Sequence, residues 1–351
     1  MARAARRRSS PSPWAGRRRA RCPPARSRRA GRATGPRRVA RTTRRASGTW
    51  RWSIASRRRI GMIGRYRPSL VNSHEPRPVA VITGASAGIG AATAVELARR
   101  GHDLVISARR RERLAEVAAR ATEAAGRAVR TEIVPLDVTV RGHSAELLDA
   151  AERAFGRFDV VYANAGYGME RPMHALDDVE LRHMFETNFF SSVELCNEAA
   201  RRLIKAGRRG HLFMCSSCVA KFTLPDFGAY SASKAAQAHV ARAMAYELRP
   251  HGIMVSSVHP VTTATEFFDV SRERMLPGHE QQYAIHGMSR LFVQRPEVVA
   301  RAIARAVGKP RTEVWTSFPT RVAAGIITAF PWLFDMAVGL SRRRATEARA
   351  S

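Results

Sequence analysis

Acidic residues are missing from the first seventy positions of this 351-residue chain: residues 1–70 hold 23 basic side chains, and the first acid is Glu75. The formal charge of +31 is therefore uneven. Residues 71–351 carry 37 basic and 29 acidic side chains, a formal charge of +8. The body is a modestly basic globular region, so the total charge does not make it a nucleic-acid binder. Cysteine is scarce too. Cys22, Cys196, Cys215 and Cys218 are too few and too irregular for a disulfide framework, which fits a reducing, cytoplasmic compartment. Cys215 and Cys218 form a C-x-x-C, the spacing of a redox or zinc site, but no second pair completes a four-ligand set. Long apolar runs are absent as well. No stretch of ~7–15 apolar residues follows the first charges, so no secretory signal is expected. The uncharged run Val322–Phe334 falls short of the ~20 residues of a membrane-spanning helix.

Residues 1–75 read as a disordered tail, because arginines repel one another and no apolar period offers a core. A nucleic-acid arm, an arm for anionic membranes and an organelle transit peptide compete as its function. A further reading starts the protein at Met62 and takes the preceding stretch as translated GC-rich DNA.

From residue 76 onward strand and helix patterns alternate. Val79–Thr83 is a short β-branched run, and Ala91–Arg100 has helical periodicity. Strands follow at 103–107, 129–136, 158–163, 210–216 and 253–258. Helices are expected near 110–125, 143–155, 176–207 and 228–249. Such alternation implies an α/β fold: a Rossmann-like doubly wound parallel sheet in a single domain, residues 76–317, with ligands beyond the carboxyl ends of its strands. Residues 318–351 form an apolar extension with a basic flank.

Between the first strand and first helix stands Thr83-Gly84-Ala85-Ser86-Ala87-Gly88-Ile89-Gly90. Gly84, Gly88 and Gly90 suit a tight turn, close approach of backbone to a pyrophosphate, and close helix packing. The helix N-terminus offers unpaired N–H groups to phosphate. The spacing is G-x-x-x-G-x-G, and with it the sequence resembles the short-chain dehydrogenase/reductase family. That resemblance spans roughly residues 77–317 and implies cofactor contacts from Gly84, Ser86, Gly88, Ile89 and Gly90.

An acid at the end of the second strand disfavours NADP by charge. Here the strand ends Ser107-Ala108-Arg109, and a guanidinium at Arg109 suits a 2′-phosphate. NADP(H) is the expected cofactor. Asp137 and Val138 resemble the family's adenine-contacting pair, and Asn164-Ala165-Gly166 its N-A-G signature beside the cofactor.

Tyr230 and Lys234 form Y-x-x-x-K, a spacing that puts both on one helical face. A phenol with a pKa near ~10 is a poor proton shuttle, and a neighbouring ammonium favours its ionised form. The family resemblance adds Ser217, thirteen residues earlier, as the hydrogen-bond donor to the substrate oxygen; Ser216 is the adjacent alternative. It also implies that Asn188 holds a water in a proton relay behind Lys234, that Lys234 binds the nicotinamide ribose, and that Cys215 and Cys218 merely flank the catalytic serine. Pro260, Val261 and Thr265 match the segment bordering the carboxamide, but the family's glycine after the proline is Val261 here.

Together these imply hydride transfer between NADP(H) and a small hydrophobic alcohol, ketone or aldehyde, with Tyr230 as acid/base. Met169, Phe222, Leu224, Phe227, Phe267 and Phe268 are the expected pocket residues, with Met275 and Leu276 in a lid. The resemblance implies a homo-oligomer. A 3-oxoacyl-carrier-protein reductase shares every motif, and a non-catalytic NADP sensor or nucleic-acid binder using the basic tail is the rival of another class. Apolar Val322–Leu340, followed by Arg342 to Arg344, suits a peripheral membrane helix, a flap over the substrate site or a dimer contact.

Overall fold

The computed structural model describes residues 76–261 and 293–339. The expectations for the arginine-rich tail and for Thr265, Phe267, Phe268, Met275 and Leu276 lie outside the described residues.

Among the described residues seven strands form one parallel sheet: β1 (Val79–Thr83), β2 (Asp103–Ala108), β3 (Thr131–Pro135), β4 (Val160–Ala163), β5 (Gly210–Cys215), β6 (Ile253–His259) and β7 (Glu313–Trp315). Their order is β3-β2-β1-β4-β5-β6-β7. All five residues of β1 are buried, as expected of a strand covered on both faces. Ala80 and Ile82 point into one core layer; Val79 and Val81 point into the other. The first layer is completed by α1 (Gly88–Arg99), α2 (Arg111–Ala125) and α7 (Pro296–Gly308). The second is completed by α3 (His143–Phe155), α5 (Ser191–Lys205) and α6 (Gly228–Leu248). The sheet is thus doubly wound and Rossmann-like.

Strand order reverses at β1. Val81 pairs with Val105 of β2 on one side and with Val161 of β4 on the other. The two halves of the fold diverge from this pair, and in such sheets the ligand crevice lies beyond the carboxyl end of the strands at this point.

The structure corrects three expectations. Helix α1 begins at Gly88, not Ala91, so its first turn includes the last two glycines of the loop. The single helix expected over 176–207 is divided into α4 (Asp178–Phe185), a wider π-helical turn (Glu186–Phe190) and α5. Asp177 starts α4 as a capping box: its carboxylate accepts from the Glu180 amide at 2.7 Å, and the Glu180 carboxylate accepts from the Asp177 amide at 3.4 Å. Finally, α7 and β7 add to the elements read from the sequence, within residues 76–317.

Candidate active site

The crevice is stitched across the β1–β4 boundary. The Thr83 hydroxyl accepts from the amides of Asn164 and Ala165 at 3.0 and 3.1 Å. The Asn164 side-chain amide donates to the carbonyls of Thr83 and Gly84 at 3.0 and 3.2 Å. These bonds press the Asn164–Gly166 loop against the glycine loop. Gly84 has a left-handed φ of 63°, and a side-chain carbon there would lie 2.9 Å from Ala165 Cα. A side-chain carbon on Gly90 would collide with the Gly84 carbonyl. Ala87 caps α1 without a side-chain acceptor, and the first turn of α1 has no acid. Its leading amides and positive dipole end are therefore available to an anion. This cradle fits a dinucleotide pyrophosphate. The Ala85 side chain is buried in the first core layer, and that of Ile89 packs against it.

At the ends of β2 and β3, Ala108, Arg109 and Asp137 come together. The Leu136 amide donates to the Ala108 carbonyl at 3.2 Å. The Asp137 carboxylate accepts from the Thr139 amide and hydroxyl at 2.9 and 2.8 Å. Burial works to raise the Asp137 carboxyl, but the Thr139 donors and the Arg109 guanidinium outweigh it and hold it below the ordinary value. Val138 is half-buried beside it. Arg110, beside the expected contact Arg109, turns its guanidinium to the glycine loop and donates to Ser86 at 3.5 Å. The signal was the paired arginine; only the structure shows which loop the second one faces.

Tyr230 and Lys234 occupy the first two turns of α6, both buried. The Lys234 ammonium lies over the Tyr230 ring, 5.7 Å from its centre, and donates to the Cys215 carbonyl at 2.8 Å. Ser216 donates to the Lys234 carbonyl at 2.8 Å, which commits its hydroxyl to α6. Ser217 is therefore the serine of the pair whose hydroxyl faces Tyr230. Tyr230 packs with Met169, Met184 and Ala229, and Phe227 borders this cluster. Burial pushes the Tyr230 phenol well up, the neighbouring Cys215 adds to the rise, and the Ser217 hydrogen bond opposes it. The ammonium expected to lower it is itself pushed down by burial.

Asn188 lies within the π-helical turn, fully buried. Its side-chain oxygen accepts from the Tyr167 amide at 2.9 Å, and its amide donates to the Tyr167 carbonyl at 2.9 Å and to Ser233 at 3.2 Å. It thereby joins the Asn164–Gly166 loop to α6. A side-chain carbon on Gly166 would meet Asn188 Oδ1 at 2.9 Å and the Lys234 ammonium at 3.3 Å, so glycine is required for this approach.

Residues 78–276 match the family model described as short chain dehydrogenase. The chain belongs to the short-chain dehydrogenase/reductase family. It is 37% identical over 230 residues to a cis-4-hydroxycyclohexanecarboxylate dehydrogenase of Sinomonas cyclohexanicum, covering 64% of this chain and 87% of that one. An alcohol dehydrogenase of the archaeon Thermococcus sibiricus, solved with 5-hydroxy-NADP, is 28% identical with a TM-score of 0.56, covering 68% of this chain and 95% of that one. A short-chain dehydrogenase/reductase of Burkholderia phymatum, solved with NAD, shares the fold at a TM-score of 0.66 and 23% identity, covering 74% and 95%. The chain is an oxidoreductase of this family; of the two solved structures, one holds NAD and the other an NADP derivative.

The short-chain dehydrogenase/reductase pattern departs at Val261, where glycine was expected. Among the described non-glycine residues only Asp226 has a left-handed φ, so Val261 does not need glycine's freedom. The Pro260 carbonyl accepts from the Cys218 amide at 3.0 Å, which joins the ends of β5 and β6 beside Ser217. Cys215 and Cys218 are free and buried, and burial pushes the Cys218 thiol up, opposite to a reactive thiolate. No group of three or more metal-ligating side chains occurs among the described residues.

Proposed function

We propose that this protein interconverts a hydrophobic alcohol and its ketone or aldehyde with NADP(H), Tyr230 serving as the acid and base. The observation that carries the proposal is the placement of Tyr230: a buried phenol in an apolar cluster, paired with Ser217 and one helical turn from Lys234.

When bound, the cofactor supplies or accepts the hydride. The glycine loop, the α1 N-terminus and the Asn164–Gly166 loop would hold it. Ser217 donates a hydrogen bond to the substrate oxygen and orients it toward Tyr230. In reduction Tyr230 donates its proton to that oxygen; in oxidation its phenolate takes the proton back. Lys234 has three N–H donors and uses one on Cys215, so two remain for the phenolate and the ribose. The apolar side chains around Tyr230 exclude water and favour a hydrophobic substrate. The relative named for cis-4-hydroxycyclohexanecarboxylate supports a ring-borne secondary alcohol as one member of that class.

Support for NADP(H) comes from this chain's own charges. Ala108 leaves the ribose 2′ position without an opposing acid, and Arg109 and Arg110 flank it. The test is cofactor consumption by the full chain across a panel of hydrophobic ketones and aldehydes, with NADPH and NADH compared and a 3-oxoacyl-carrier-protein included. The proposal predicts turnover of the free carbonyls with NADPH preferred. Turnover confined to the acyl-carrier substrate, or a preference for NADH, contradicts it.

A further inference from the structure

The last two described helices expose apolar side chains that a folded body ordinarily buries. Helix α8 (Phe318–Ala329) carries two stripes of opposite character. Thr320, Ala324 and Thr328, four residues apart, form the stripe toward the body: Ala324 is buried, and the Thr328 hydroxyl donates to the Lys221 carbonyl at 3.3 Å. The other stripe is Phe318, Val322 and Ile326, continued by Phe330, again with a period of four. These four are 74%, 45%, 49% and 51% exposed. At Phe330 the chain bends by 100° into a helix over Pro331–Gly339. That helix sets Phe334 edge-on against Phe222 at 5.6 Å and leaves Trp332 and Met336 outward, 58% and 56% exposed.

At ~1.5 Å per residue neither helix approaches the ~30 Å of a hydrocarbon core. No single helix among the described residues is long and apolar enough to cross a membrane. The pair instead presents a bent apolar ledge with aromatic side chains at its corner, suited to the boundary between headgroups and acyl chains. In the sequence this segment has one dominant charge sign, with five arginines against Asp335 and Glu347 over residues 318–351. Between residues 318 and 339 the charged side chains are Arg321 and Asp335, and Arg342, Arg343 and Arg344 follow in the sequence. A second copy of the chain would bring the same positive excess against itself. An anionic surface complements it.

We propose that this ledge docks on the surface of a bilayer containing anionic phospholipid. On its opposite stripe, α8 is tied to the turn after Ser217 through the Lys221–Thr328 bond.

The test is flotation of the full chain with vesicles of phosphatidylcholine and phosphatidylglycerol, compared with the variant Val322→Ser/Ile326→Ser/Trp332→Ser. The arginine-rich N-terminal segment is present in both proteins, so its attraction to the vesicles cancels in the ratio of partition coefficients, measured at lipid and salt concentrations where neither protein is fully bound. A second variant, Phe318→Ser/Met336→Ser, uses other exposed positions, and far-UV circular dichroism checks that both variants fold. Partitioning is expected to fall about tenfold or more in each variant, and to be weaker for the wild type on pure phosphatidylcholine. Equal partitioning of wild type and variants overturns the proposal. So does a lipid-free dimer, seen by sedimentation velocity, that the variants abolish while vesicle binding is unchanged.

Discussion

The His259 ring N–H at Nδ1 donates to the Ser217 carbonyl at 3.0 Å, tying the end of β6 to the residue two positions beyond β5. The ring stacks on Trp315 of β7 at 4.6 Å, and its Nε2 pairs with the Ser257 hydroxyl at 2.9 Å. Ser217 is thus supported from behind by two neighbouring strands.

Stability follows from this burial. Burial pushes His259 down to about 4, against the Ser217 carbonyl that favours its proton, and pushes His211 down to about 3. Both folded values lie below the unfolded value near ~6.5. The unfolded chain therefore binds protons first as pH falls. The contribution is complete above pH ~6.5 and is lost as pH falls toward about 4, on the order of 3 kcal/mol for His259. Glu313, held down at about 2, weakens the fold only below pH ~4.5. Urea midpoints measured from pH 7 to 4.5 are expected to fall in the wild type and to fall less steeply in His259→Asn. Equal slopes would contradict this account.

Ser217 opposes the rise of the Tyr230 phenol. Ser217→Ala should therefore move the ascending limb of kcat/KM for alcohol oxidation, where the phenol ionises to the base, to higher pH, besides lowering its plateau by about 10²-fold or more. A lower plateau with an unmoved limb would separate Ser217 from the ionisation of Tyr230.

The cofactor preference has a one-residue test. Ala108→Asp places a carboxylate at the end of β2, beside Arg109 and Arg110. The expected result is a loss of kcat/KM with NADPH of about 10-fold to 100-fold, equivalent to ~1.4–2.8 kcal/mol, and little loss with NADH. Equal losses with both cofactors would point to damage to the loop.

Much of this site was legible from residues whose local pattern matches their place in the fold. Buried strands read as apolar β-branched runs, and the glycine loop announced itself by spacing. Apolar periodicity continues from α4 into α5, so the π-helical turn that buries Asn188 left no break in the pattern. β7 has three residues, too few for any period to emerge. The Arg110–Ser86 and Lys234–Cys215 bonds span 24 and 19 positions and follow from strand order, which the sequence pattern does not state.

Gly90 tests the cradle against an internal control. Gly90→Ala drives a methyl into the Gly84 carbonyl, whereas Gly308→Ala at the end of α7 meets nothing within 4 Å. The first should cost about 1–3 kcal/mol and weaken NADPH binding; the second should leave both near wild type. Fluorescence titration and thermal melts distinguish them, and equal behaviour of the two variants would refute the close approach.

The most direct test of the central claim is NADPH consumption by Tyr230→Phe with any carbonyl that the wild type reduces. The ring still fills its apolar cluster, so the fold and NADPH affinity should be retained. The account predicts that kcat falls by about 10²–10⁴-fold, because the proton donor is gone. Turnover near the wild-type rate would contradict it.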